Sequence, residues 1–460
     1  MKGITLFLMF AFLLALPIPL YARGSDELPG KDAPKYAELL DMQKWMETCN
    51  PEGFIDIFLG FGPGEKGEQL NKAIEDACGC RNWEQNKLRA TIYEGDVYIK
   101  TTLEYKPVQD DESLSALLAD WKPCKPQIIR GFNPDDLLAL YGFGNPKAAL
   151  DVLMKWFTDT DSIPNIIESL PLEEEKAFIK LLFKQMQMVG KGYWYDAKED
   201  IYPFLGDEIT VAVYTNEDYV GWDNIWSAET PDEYMMARII LAMETAKPGF
   251  ADIMTKAVGD YLDIFSELGI FFGHYGDESK EKIEILTMEA DGYTIHYIDI
   301  EGEFQIGWTE YGGAFFVSDP STLKNLPAYF DKSLPNEMKI KKFNEYMYLN
   351  ADGLVDVFYD PIIWFFQDEF SYWTNPPEKE GVAALGEMNN LLKSGELGDI
   401  EVIEVINGHN AELNMRAGQV SADLMLKGIG LCKNLTEGGS SMEDAIMRYL
   451  GFYGGGGGGS

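Results

Sequence analysis

The chain has 460 residues, 46% of them hydrophobic and 13% aromatic, which is ample material for packed cores and excludes global disorder. Against 38 Lys and Arg stand 76 Asp and Glu, a formal net charge of −38. A surface that acidic repels nucleic acid and anionic lipid headgroups, so both drop out as partners, and most of the charge reads as a solvated coat.

Residues 1–22 read as an export signal. Lys2 supplies a short positive start, Ile4–Leu20 is an apolar run broken by Pro17 and Pro19, and Ala22 offers a small residue for cleavage. The run falls short of the ~20 residues of a bilayer span. The expectation is an exported chain, periplasmic or extracellular, with no stable membrane span in its mature part. In that oxidising setting Cys49, Cys78, Cys80 and Cys124 are disulfide candidates, and Cys432 is the odd one left free. Cys78 and Cys80 are too close to bridge each other, so each would reach Cys49 or Cys124. Their spacing is not that of a structural zinc site.

A nine-residue phrase then recurs. Asn50-Pro-Glu-Gly-Phe-Ile-Asp-Ile-Phe58 returns as Asn350-Ala-Asp-Gly-Leu-Val-Asp-Val-Phe358, and a looser copy reads Asn133-Pro-Asp-Asp-Leu-Leu-Ala-Leu-Tyr141. Its chemistry is that of a strand running into a capped helix. Asn can accept from the first-turn amides, Pro suits the first helical position, and Asp favours the positive end of the helix dipole. Gln127–Phe132 would be the strand before Asn133, Tyr346–Leu349 the strand before Asn350, and Ala314–Val317 the strand before a cap at Asp319. Between the first two copies, Gly62-Pro-Gly64-Glu-Lys-Gly67 matches a dinucleotide-loop pattern, but Pro63 removes a donor and Glu68 stands where a phosphate-binding loop needs lysine, so it reads as a turn. Leu88–Tyr105 reads as a hairpin around Glu94-Gly95-Asp96.

The middle of the chain is the most legible. Gly206–Tyr214 is a β-branched strand and Tyr234–Met243 a second apolar run. After a turn at Thr245–Gly249, Phe250, Ile253, Ala257, Tyr261, Ile264, Phe265 and Leu268 follow helical spacing. Ile283–Met288, Tyr293–Ile300, Phe304–Thr309 and Ala314–Val317 come next, separated by Asp-Gly, Glu-Gly and Gly-Gly, which predicts an antiparallel meander on that helix. Ile400–Arg416 around Asn407-Gly408 predicts a last hairpin, and Gly454–Ser460 is a flexible tail. The fold class is therefore α+β: repeated units of antiparallel sheet packed against helices, with an internal duplication of the two halves. The units are 23–190, a central meander unit 191–335 and 336–450, followed by the Gly-rich tail 451–460.

Four pieces of this layout resemble a family of bacterial extracytoplasmic proteins of unknown function. They are Asp200-Ile-Tyr-Pro-Phe-Leu-Gly-Asp-Glu208, Asp291-Gly-Tyr-Thr-Ile-His-Tyr297, Phe315-Phe-Val-Ser-Asp-Pro320 and Tyr346–Phe358, spanning about residues 195–360. The resemblance implies export and an α+β architecture and brings no active site with it.

Signals for chemistry are sparse. His274, His296 and His409 form no metal-ligand spacing, and His296 reads as a half-buried strand residue. No nucleophile-elbow motif is present, so catalytic residues remain unknown, and neither a cofactor nor a metal is expected. Asp159-Thr-Asp161-Ser162 alternates oxygen ligands but lacks the Gly and Glu of a calcium loop and reads as a capped turn. Ile362, Phe365, Phe366 and Phe370 follow a helix face and read as core, whereas Tyr372 and Trp373, beside Asn375-Pro-Pro377, are candidate surface aromatics for a sugar or partner protein. The function expected is a non-enzymatic scaffold or binding protein for an unknown protein or an apolar or sugar ligand. The alternatives are a hydrolase whose site gathers distant residues, and a carrier of an apolar ligand.

Overall fold

The computed structural model describes residues 36–41, 87–92, 96–104, 120–159, 162–169, 176–221, 227–228, 230–268, 283–300, 304–331, 340–358, 394–407, 410–418 and 420–421. Its strands form one 13-stranded sheet, in which β1 is Tyr36–Asp41, β2 Lys87–Ile92, β3 Asp96–Glu104, β4 Leu137–Gly144, β5 Leu205–Thr215, β6 Ala237–Thr245 and β7 Ile285–Ala290. Then follow β8 Tyr293–Ile300, β9 Phe304–Tyr311, β10 Ala314–Ser318, β11 Glu345–Asn350, β12 Asp399–Asn407 and β13 Asn410–Gly418. The order across the sheet is β1-β2-β3-β13-β12-β11-β4-β5-β6-β10-β9-β8-β7, with every neighbouring pair antiparallel. Helices α1 Pro146–Asp159, α2 Ser162–Ser169 and α3 Lys176–Asp200 lie between β4 and β5; α4 Pro231–Tyr234 precedes β6, and α5 Phe250–Leu268 follows it. Two short helices, α6 Pro320–Lys324 and α7 Leu326–Tyr329, come after β10, and residues 351–358 are helical. Among the described residues no helix is long and apolar enough to cross a membrane.

The antiparallel α+β character is as expected. The predicted hairpins form: β2 pairs with β3, β12 with β13, and β7 to β10 make the meander. Turn chemistry explains two of these corners. Asp291 and Gly292 have φ of 35° and 90°, and Gly312 and Gly313 of 58° and 77°, the left-handed region that the tightest hairpins require. The start of α5 is closed from the sheet, as Glu310 on β9 accepts from the Gly249 and Phe250 amides. The caps at Asp319 and Asn350 also form. Asp319 accepts from Thr322 N at 2.7 Å, and Asn350 Oδ1 from Gly353 N at 2.9 Å.

The third copy of the repeated phrase does not behave as expected. Gln127–Phe132 holds a 3-10 turn, Ile129–Gly131, in place of a strand, and Asn133 caps no helix. Its side chain instead accepts from Asp135 N, Asp136 adopts φ 60°, and the chain enters β4 at Leu137. The reason lies about 80 residues away. Glu208 on β5, fully buried, accepts from the amides of Gln127, Ile128 and Ile129 and from the Thr210 hydroxyl. With its amides taken by that carboxylate, this segment needs no strand partner. The boundary placed between residues 190 and 191 falls inside α3, and strands of all three expected units join one sheet. Asn50–Phe58 lies outside the described residues.

Two layers flank the sheet. On one face Ile128, Ile129, Phe132, Leu323, Leu326, Phe330, Ile340 and Phe343 cover Leu140, Ala212, Tyr214, Ile240, Ile295, Phe316 and Tyr346, a core built by connecting segments. The other face carries helices. Phe250, Met254 and Val258 of α5 pack on Met243, Phe315 and Trp308, while Ala148 and Ala149 of α1 pack with Trp121 on Phe143. Phe143, Ile209 and Met243 are successive register partners, so α1 and α5 share that face. Outward from the central β4–β11 pair, the order β4-β5-β6-β10 is mirrored by β11-β12-β13-β3. Each central strand runs into a helix through an asparagine, Asn145 before α1 and Asn350 before residues 351–358.

Candidate functional site

Because side chains alternate along a strand, register partners two residues apart build rows on one face of a sheet. On the helix-bearing face one row runs Leu241, Val211, Tyr141, Met347, Val402 and Met415 across six neighbouring strands. The next row is Ile239, Val213, Ala139, Leu349, Ile400 and Ala417. Both are apolar throughout except for the Tyr141 hydroxyl. Helices should cover such a face, and α1 and α5 do so at Phe143 and Met243. Beside that row a strip is left open: Ile239 is 52% exposed, Tyr141 39% and Leu241 37%. Singly exposed apolar residues are ordinary, but two on β6 and one on β4, across β5 and in two neighbouring rows, form a patch of the kind that marks binding sites.

The third row interrupts this apolar face with charge. It reads Met243, Ile209, Phe143, Glu345 and Glu404, which sets two half-buried carboxyls directly opposite each other on β11 and β12. Directly opposed like charges disfavour joint ionisation. Burial pushes Glu404 up to about 7, with the neighbouring Glu345 carboxylate adding to the rise. Burial likewise lifts Glu345 above the usual carboxylate range, against the pull of a hydrogen bond from Tyr141. The Tyr141 phenol is raised in turn by burial and by both carboxylates. The cluster can hold a proton near neutral pH. His296, the one histidine among the described residues, is half-buried as expected and stacks on Trp308 at 6.2 Å. It stands on β8, six strand positions from β11, on the order of 30 Å at the usual strand spacing. The structure therefore does not bring it to the carboxyl pair.

Of the disulfide candidates only Cys124 is described. It is a buried free thiol, bridged through its backbone to Phe343 (N to O 2.9 and 3.0 Å) and packed against Gly144, where a Cβ would come within 2.7 Å of Sγ. Burial, together with the Glu208 carboxylate, pushes its thiol up to about 12. Cys49, Cys78, Cys80, Cys432, Tyr372 and Trp373 lie outside the described residues, as do His274 and His409. Asp159 closes α1 and Ser162 opens α2, with the residues between them outside the description. Among the described residues no group of three metal-ligating side chains occurs. The open strip and the carboxyl pair went unforeseen because each is assembled by register between strands about 60 to 100 residues apart in the chain.

No family model, curated protein or solved structure matches the chain.

Proposed function

We propose that this is an exported, non-enzymatic binding protein of the bacterial extracytoplasmic kind it resembles, taking an apolar ligand along the strip of Ile239, Leu241 and Tyr141. The observation that carries the reading is the exposure of these three side chains on an apolar face, in the two rows beside the one that α1 and α5 cover. The carboxyl pair Glu345 and Glu404 beside the strip, together with the −38 charge of the chain, favours a neutral or cationic ligand over one ending in a carboxylate. The mirrored strand order about β4 and β11 supports an internal duplication, with Asn145 and Asn350 as its equivalent points.

A neutral fluorescent apolar probe should brighten on binding the mature chain, and Leu241→Asp should abolish that signal while leaving the circular dichroism spectrum unchanged. Leu241 is already partly in water, so the substitution costs the fold little. Native mass spectrometry after gentle purification should find a co-purified apolar molecule. A clean apo mass together with a probe signal that ignores Leu241→Asp would overturn the reading.

A further inference from the structure

The row Met243, Ile209, Phe143, Glu345, Glu404 and Leu413 crosses the sheet from β6 to β13. Its outer members are apolar, and the two acids stand side by side in its middle, on strands paired along both edges. Packing does not ask for carboxyls there. The places that mirror Glu345 and Glu404 about the β4–β11 pair hold Phe143 and Ile209, which pack into hydrophobic clusters. Like charges directly opposed across an antiparallel pair destabilise it, so two acids in this position favour keeping a proton between them.

One side chain connects the pair to the open strip. Tyr141 is 39% exposed and forms the β4 end of the strip, and its hydroxyl donates to Glu345, which in turn faces Glu404. Among the described residues the groups that act on the two acids are Tyr141 and the acids themselves. Lys147, Asp151 and Lys155 of α1 are not among them, nor are Asp352 and Asp356 of the helical residues 351–358, and β13 sets Leu413 opposite Glu404. A neutral apolar body laid on the strip withdraws water from Tyr141 and from the Glu345 carboxyl behind it. Desolvation penalises the ionised pair more than the protonated one, so binding favours the protonated form. The coupling is reciprocal, and the protonated pair therefore binds the neutral ligand more tightly.

Resting on the reading of the strip given above, we infer that Glu345, Glu404 and Tyr141 make its affinity proton-dependent: a neutral apolar ligand is held while the pair keeps a proton and let go when both carboxyls ionise. The neutral fluorescent probe, titrated into the mature chain at about pH 5 and about pH 8, should bind on the order of tenfold more weakly at the higher pH, the change that moving one group by a single pKa unit produces. A cationic analogue of the same probe should show the opposite trend. The double variant Glu345→Gln with Glu404→Gln should bind the neutral probe equally at both pH values. A probe signal that is lost in Leu241→Asp but has the same affinity at both pH values overturns this inference and leaves the strip reading standing, and so does a pH dependence that survives in the double variant. A signal at the lower pH that ignores Leu241→Asp, or no signal at either pH, overturns both.

Discussion

Single carboxylates carry much of the specificity in this protein, and they act in different senses. Asp319 is held below the usual range: burial alone would raise it, but bonds from Ser321 and Thr322 and the nearby Arg238 guanidinium outweigh that. Glu404 is the reverse case. Its folded value lies near 7 against an ordinary 4.5, so the folded chain keeps a proton that the unfolded chain has released. The sign follows from linkage: the contribution to stability is complete below about pH 4.5 and is lost as pH rises through 7. Glu404→Gln should therefore match the wild type at pH 5 and exceed it at pH 8, by on the order of 2 kcal/mol after allowing for partial solvent screening. Denaturant midpoints at the two pH values measure this, and a gap that stays constant with pH would show that the pair does not titrate as described. Neither acid could be singled out in the sequence, because among 76 carboxylates only the β11–β12 register makes these two neighbours.

Among the elements, those with local causes were legible. The β8–β9–β10 meander and α5 follow from Gly-rich corners and helical spacing that lie within a few residues of the structure they dictate. The segment before β4 was not, since Asn133-Pro-Asp-Asp spells a helix cap and the deciding group, Glu208, comes from another strand. That carboxylate fastens the 3-10 turn to β5 and so holds the cover of the first core layer in place. Burial pushes it above the usual range while its backbone donors pull it down. Glu208→Ala leaves three amides without their acceptor, and a loss of about 3 kcal/mol is expected from leaving buried donors unmade. Equilibrium urea unfolding reads this directly. A loss under about 1 kcal/mol would mean that water or a shifted loop replaces the carboxylate.

On the scale of the whole molecule the sheet joins what the chain separates. Register partners Glu104 on β3 and Asn410 on β13 lie about 300 residues apart, and closing so long a loop costs more chain entropy than any hairpin in the meander. In pulse-labelled refolding, amides of β8 and β9 should gain protection before those of β13, and simultaneous protection would contradict this order. The same pairing governs the newly made protein. β3 emerges with one edge satisfied by β2 and the other bare, and its partner follows only about 300 residues later. Completion of the sheet is thereby deferred until β13 has been made, and the bare edge that waits for it is a surface of the kind holding chaperones shield.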